Sequence, residues 1–261
     1  MGLTISLIQM DITFGNPQAN YERVTQLFKE FKANNADVVL LPELWTTGYD
    51  LTRLHQLADD GKESIGFISK LAKQYQTNII AGSIAKKVND SFTNTLFVVN
   101  QDGQLVKEYN KAHLFRLMDE DKHLIEGNGN GNFELAGYQS AGIICYDIRF
   151  PEWVRTHMLN DSKILYVVAE WPKVRIDHWR ALLISRAIEN QCFVVACNRV
   201  GSDPNNVFGG HSMIIGPWGE IIAEAGEEET IIHADIDLNQ VHQVRNTIPI
   251  LQDRRPDIYE V

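Results

Sequence analysis

The chain has 261 residues, 44% of them hydrophobic and 22% charged, which suits a packed globular core and excludes disorder. A formal charge of −10 leaves no basic footprint for nucleic acid, so no nucleic-acid partner is expected. The opening Met1-Gly-Leu-Thr-Ile-Ser has no cationic leader and no apolar run reaches membrane-spanning length, so the expectation is a cytoplasmic chain with no membrane partner.

Along the chain, strands and helices alternate. Residues 4–10 alternate as a strand, and Tyr21, Val24, Phe28 and Phe31 recur at helical spacing, which predicts an amphipathic helix over about 17–34. Ala36–Pro42 is a continuous apolar run of the kind buried on both faces. Ile68, Leu71, Ala72 and Tyr75 mark a second helix, and 78–84 a further buried strand. Segments 95–100 and 104–109 then alternate around Asp102-Gly103, a hairpin signal. Residues 116–132 are polar and carry Gly127, Gly129 and Gly131, which predicts a long functional loop.

The second half repeats the theme. A strand over 138–145 leads to a helix near 151–160, and a strand over 164–169 to a helix near 175–190. A strand over 193–197, a hairpin around Pro217-Trp218-Gly219, a strand over 230–236 and a short helix complete the order. No low-complexity linker divides the chain. The expectation is one domain over 1–261, with a core over about 3–237 and a C-terminal extension over 238–261, built as an α/β structure of two packed sheets with helices outside.

The three cysteines are Cys145, Cys192 and Cys197, an odd and low count that argues against a disulfide framework. No Cys-x-x-Cys is present, so no metal site is expected. Cys192 and Cys197 bracket a strand and read as small core hydrophobes.

Three polar residues sit at strand ends. Cys145 closes Gly142-Ile-Ile-Cys145, and ligands bind at the carboxyl ends of strands in α/β proteins. A lone cysteine is more often a buried structural thiol, but Tyr146, Asp147, Arg149 and Glu152 crowd behind this one. Glu43 closes Val38-Val-Leu-Leu-Pro-Glu43; it reads either as a solvated strand-end acid or as a general base walled by Pro42, Leu44 and Trp45. Lys111 follows the first hairpin; the apolar Leu114 and Phe115 beyond it suggest a buried ammonium rather than an exposed one, and a buried ammonium can stabilise an oxyanion.

Taken together, Leu41-Pro-Glu43, Lys111-Ala-His-Leu-Phe115 and Cys145-Tyr-Asp-Ile-Arg-Phe-Pro-Glu152 resemble the nitrilase, or carbon–nitrogen hydrolase, superfamily. The likeness extends through Arg186-Ala-Ile-Glu-Asn190, Gly210-His-Ser212 and Pro217-Trp-Gly-Glu220. It implies a four-layer α-β-β-α sandwich, a homodimer or higher homo-oligomer, and no metal or organic cofactor. It also implies a triad in which Glu43 is the general base, Lys111 the oxyanion donor and Cys145 the nucleophile. Glu120, seven positions before Gly127, fits the family's second glutamate, and the Tyr146 N–H fits the second oxyanion donor.

Trp171-Pro-x-x-Arg-x-x-His-Trp179, Arg186-Ala-Ile-Glu-Asn-Gln191 and Asn198-Arg-Val-Gly-Ser202 are similar to the omega-amidase branch, whose members cleave the terminal amide of 2-oxoglutaramate or 2-oxosuccinamate. An oxo-acid carboxylate needs a cation, for which Arg175 is the candidate, with Trp171 and Tyr49 as pocket walls. Arg149 with Glu152, and Arg186 with Glu189, read as structural pairs. Nitrile, aliphatic amide and N-carbamoyl amide hydrolysis stay open, since they share the triad. A silent scaffold is disfavoured by the intact trio, and a redox sensor by the lack of a second cysteine near Cys145 in sequence.

Overall fold

The computed structural model describes residues 2–31 and 36–259. In chain order the elements are β1 (Gly2–Gln9), α1 (Pro17–Phe31), β2 (Val38–Leu40), α2 (Leu54–Leu57), α3 (Lys62–Tyr75), β3 (Asn78–Val88), β4 (Ser91–Val99) and β5 (Leu105–Asn110). There follow α4 (Glu120–His123), β6 (Asn132–Leu135), β7 (Tyr138–Ile144), α5 (Pro151–Met158), β8 (Ile164–Ala169), α6 (Ile176–Asn190), β9 (Phe193–Asn198), β10 (Met213–Ile215), β11 (Ile221–Glu224), β12 (Thr230–Asp237) and α7 (Asn239–Thr247).

Among the described residues the strands form two six-stranded sheets, ordered β12-β1-β2-β3-β4-β5 and β11-β10-β9-β8-β7-β6. Each has a parallel centre, β1-β2-β3 in one and β7-β8-β9 in the other, with antiparallel strands outside. Strand alternation makes the layers. Val38 and Leu40 of β2, with Ile5 and Leu7 of β1, point inward to a core shared with Ile143, Leu165 and Val167 of the second sheet. Val39 and Leu41 point outward onto Val24, Leu27 and Phe28 of α1 and Ile68, Leu71 and Ala72 of α3. On the far side, Trp179, Leu183 and Ala187 of α6 and Val154 and Met158 of α5 cover the second sheet. The result is the α-β-β-α sandwich that the resemblance implied.

Local signals account for several boundaries. The Asn16 side chain accepts from the Ala19 N–H and Pro17 opens α1, so both residues suit a helix start. The helix expected over 17–34 is described to Phe31; positions 32–34 lie outside the described residues. Two expectations need correction. The hairpin of β3 and β4 reaches Val88 and Ser91, well past the predicted strand ends, because its tip is polar while its backbone pairing continues. The supposed loop 116–132 contains a turn of 3-10 helix (Arg116–Met118) and α4. No helix among the described residues is long and apolar enough to cross a membrane.

Candidate active site

Glu43, Lys111 and Cys145 converge. Glu43 lies just beyond β2, Lys111 directly follows β5, and Cys145 directly follows β7, so both sheets contribute to one site at their strand ends. The Lys111 ammonium donates to Glu43 Oε1 at 2.8 Å and to Glu120 Oε1 at 2.7 Å, and all three side chains are fully buried. Glu120 Oε2 accepts the Phe115 N–H at 2.5 Å, which fastens α4 to the Lys111 segment. Burial disfavours the Lys111 charge, but the Glu120 and Glu43 carboxylates outweigh it and hold the ammonium above the ordinary lysine range. Burial pushes the Glu120 carboxyl up, with Lys111 opposing and Glu43 assisting.

Cys145 is a neutral thiol at rest. Burial, reinforced by the Glu43 carboxylate to which it is hydrogen-bonded, raises Cys145 well above the usual thiol range, and Lys111 only partly offsets this. A sulfur so placed needs a proton acceptor to become nucleophilic, and the Glu43 carboxylate is the one bonded to it.

The backbone is strained at and beside these residues. Cys145 has φ +44°, Leu44 beside Glu43 has φ +43°, and Asp119 beside Glu120 has φ +60°. Such left-handed conformations cost about 1–3 kcal/mol each in a residue with a side chain and persist only when neighbours over-determine them. At Cys145 the determinant is Asp147, whose carboxylate accepts from the Ile144 N–H (3.0 Å), the Tyr109 hydroxyl (2.7 Å), the His113 N–H (3.0 Å) and His113 Nδ1 (2.7 Å). One buried side chain thus ties the cysteine turn to the segment that carries Lys111. At Glu43 the determinant is the neighbouring strand: Ser83 Oγ accepts the Leu44 N–H at 2.9 Å, and its carbonyl accepts the Trp45 N–H at 3.1 Å.

Cys145 faces a cavity walled by Phe115, Tyr146, Arg149, Glu170, Trp171, Pro172 and Arg175. Trp171 and Arg175 are therefore pocket residues. Tyr49 is not in that wall: its hydroxyl donates to Glu120 Oε1 at 2.8 Å and reaches Glu43 Oε1 at 3.2 Å, behind the carboxylates. The Arg149–Glu152 pair expected behind the nucleophile does not form. Arg149 stacks over the Trp171 ring at 4.7 Å, inside the cavity wall, while Glu152 is exposed on α5. Burial lowers the Arg149 guanidinium, and the like charge of Arg175 adds to that, so two cations share one side of the cavity. The Arg186–Glu189 pair does form, at 2.9 Å, and Cys192 and Cys197 are buried as core thiols.

Sequence reasoning missed Asn94, whose Nδ2 donates to Glu43 Oε1 at 2.8 Å, and Glu170, whose backbone N–H donates to Glu43 Oε2 at 2.8 Å. Neither has a local signal, since Asn94 lies within an unremarkable strand and Glu170 looks like an ordinary strand-end acid.

A family model described as carbon–nitrogen hydrolase matches residues 4–246. The chain belongs to the carbon–nitrogen hydrolase family. It is 51% identical to a 2-oxoglutaramate amidase of Bacillus subtilis, over 99% of this chain and all of that one. It is 37% identical to the omega-amidase YafV of Escherichia coli K12, over 97% and 96% of the two chains. The crystal structure of XC1258 from Xanthomonas campestris, a CN-hydrolase superfamily protein with an arsenic adduct in its active site, superposes with a TM-score of 0.91 at 31% identity, covering 98% of each chain.

Proposed function

We propose that this protein is an omega-amidase that hydrolyses the terminal amide of a small 2-oxo acid, 2-oxoglutaramate or 2-oxosuccinamate, to the dicarboxylate and ammonia. The observation that carries this reading is a buried Glu43–Lys111–Cys145 cluster opening on a cavity whose wall bears two guanidiniums, Arg149 and Arg175. The named relatives support the substrate class. In this reading the substrate carboxylate meets the guanidiniums and the terminal amide meets the sulfur.

Glu43 accepts the thiol proton as Cys145 attacks the amide carbon. The oxyanion forms between the Lys111 ammonium and the Tyr146 N–H; one such donor in a dry site is worth about 3–4 kcal/mol. Glu43 then passes the proton to the amide nitrogen, the C–N bond breaks, and ammonia leaves a thioester on Cys145. Water, deprotonated by Glu43, attacks the thioester; the C–S bond breaks, the acid leaves, and Glu43 returns the proton to the Cys145 sulfur. Dividing one difficult displacement into two easier ones is what the covalent route contributes. Glu120 and Asn94 hold Lys111 and Glu43 in place through their hydrogen bonds.

The same reading includes a homodimer in the cytoplasm as the working form; light scattering on the purified protein reports the assembly. The substrate is tested by ammonia release from a panel of 2-oxoglutaramate, 2-oxosuccinamate, simple nitriles and N-carbamoyl amino acids. The two oxo-acid amides are expected to lead, and Arg175→Ala is expected to raise KM for them far more than for a neutral amide. A preference for nitriles or carbamoyl compounds would overturn the assignment.

A further inference from the structure

Glu170 is a buried acid that the mechanism above does not use. It follows β8 directly, and its N–H to Glu43 Oε2 fixes its main chain against the general base. Its side chain is also fully buried. Oε2 accepts from Arg199 Nη1 at 2.9 Å, and Arg199 is itself held by Asp11 Oδ1 and the Ile12 carbonyl, both at 2.8 Å, and by the Val200 carbonyl at 3.0 Å. The other oxygen, Oε1, has no hydrogen-bond partner among the described residues. An orphaned buried acceptor is destabilising, and Glu170 stands in the wall of the cavity that Cys145 faces.

The scissile amide brings two N–H donors into this cavity, and the other carboxylates near it are engaged. Glu43 Oε1 already serves Lys111, Asn94 and Tyr49, and Oε2 serves the Glu170 N–H. Glu120 Oε1 serves Lys111 and Tyr49, and Oε2 the Phe115 N–H. Asn94 Oδ1 also lacks a partner, but Asn94 is not in the cavity wall. The donors of the site, the Lys111 ammonium and the Tyr146 N–H, suit the acyl oxygen.

We propose that Glu170 is a substrate-contacting residue whose free Oε1 accepts an N–H of the scissile amide and then of the departing ammonia, which makes the site selective for amides over esters. The inference rests on the amidase reading above. Burial raises this carboxyl to about 8, with Arg199 opposing and Glu43 and Asp203 assisting. An arriving N–H donor favours the ionised form, which is the form that accepts it. The nitrogen is then placed with its lone pair toward Glu43, which delivers the proton that breaks the C–N bond.

The test compares 2-oxoglutaramate with the terminal methyl ester of 2-oxoglutarate, which has the same acyl group and no N–H donor. Glu170→Gln presents an NH2 group where Oε1 stood. It is expected to lower kcat/KM for the amide roughly 10- to 100-fold, as loss of a hydrogen bond to a charged group does, and to leave the ester within about threefold or improve it. The amide-to-ester ratio does not depend on how much of the variant is folded. Should Glu170→Gln yield no soluble protein, Glu170→Asp keeps the charge for Arg199, withdraws the oxygen by one methylene and is expected to lower the same ratio. Equal losses on both substrates, or an unchanged amide rate, overturn the inference. Failure of the wild-type enzyme on the amide overturns the amidase reading instead.

Discussion

Lys111 is the most consequential side chain to remove, because its ammonium sits between two carboxylates with no solvent to replace it. Lys111→Met keeps most of the aliphatic stem and deletes the charge 2.8 Å from Glu43 Oε1 and 2.7 Å from Glu120 Oε1. Breaking a buried ion pair by removing one partner costs about 3–5 kcal/mol, a large part of the roughly 5–15 kcal/mol that holds an ordinary domain folded. The variant can recover part of this by protonation. Glu120 is already raised by burial, and Lys111 is what opposes that rise, so without the ammonium it moves higher. A carboxyl raised in the folded state holds its proton there while the unfolded chain, with a value near about 4.3, does not. Stability therefore falls as pH climbs from the unfolded value through the folded one.

The stability gap between Lys111→Met and the wild type is thus expected to be wider at pH 8 than at pH 5, in urea unfolding followed by circular dichroism. Adding Glu120→Gln removes one of the two stranded charges and lets the amide donate to Glu43. It is expected to restore about half of the loss at pH 8, on the order of 2 kcal/mol. A gap that is equal at both pH values and untouched by the second substitution would refute the reasoning.

Other perturbations probe the supports of the site. Asp147→Asn turns one of two accepting oxygens into a donor and removes up to two of four hydrogen bonds, so kcat is expected to fall at least roughly tenfold with a smaller change in KM, read by steady-state ammonia release. Gly82 has φ +59° and the Pro42 carbonyl lies where a Cβ would stand; Gly82→Ala is expected to cost about 2 kcal/mol or more in unfolding experiments and to displace Glu43. Arg149→Ala is expected to raise KM for 2-oxo-acid amides while sparing a neutral amide such as butyramide; equal effects on both would remove Arg149 from carboxylate recognition.

The layers were legible because apolar runs such as Val38–Leu41 and Ile164–Ala169 have no other use than strands buried on both faces. Glu43 and Cys145 were legible for a related reason, since each closes such a run with a polar group at a strand end; Lys111 was legible as a strand-end lysine followed by the apolar Leu114 and Phe115. What surrounds them was not. Tyr49 reaches Glu120 across 71 positions and Asn94 reaches Glu43 across 51, contacts set by the strand order of the first sheet and the segments at its strand ends rather than by any local pattern. Arg149 looked like the partner of Glu152 three positions on. In the structure it turns to the Trp171 ring, while Pro151 starts a helix that points Glu152 to solvent. Local spacing allowed the pair, and tertiary packing gave Arg149 a face it could stack on.

The central claim is that the Cys145 sulfur carries the acyl group between two half-reactions, with Glu43 and Lys111 beside it. Acid-quenched enzyme taken during turnover of 2-oxoglutaramate, digested and mapped by mass spectrometry, tests this most directly. The account predicts an acyl adduct on the peptide containing Cys145, and a folded Cys145→Ala protein that shows neither adduct nor ammonia release. An adduct on another residue, or ammonia release by Cys145→Ala at the wild-type rate, would contradict it.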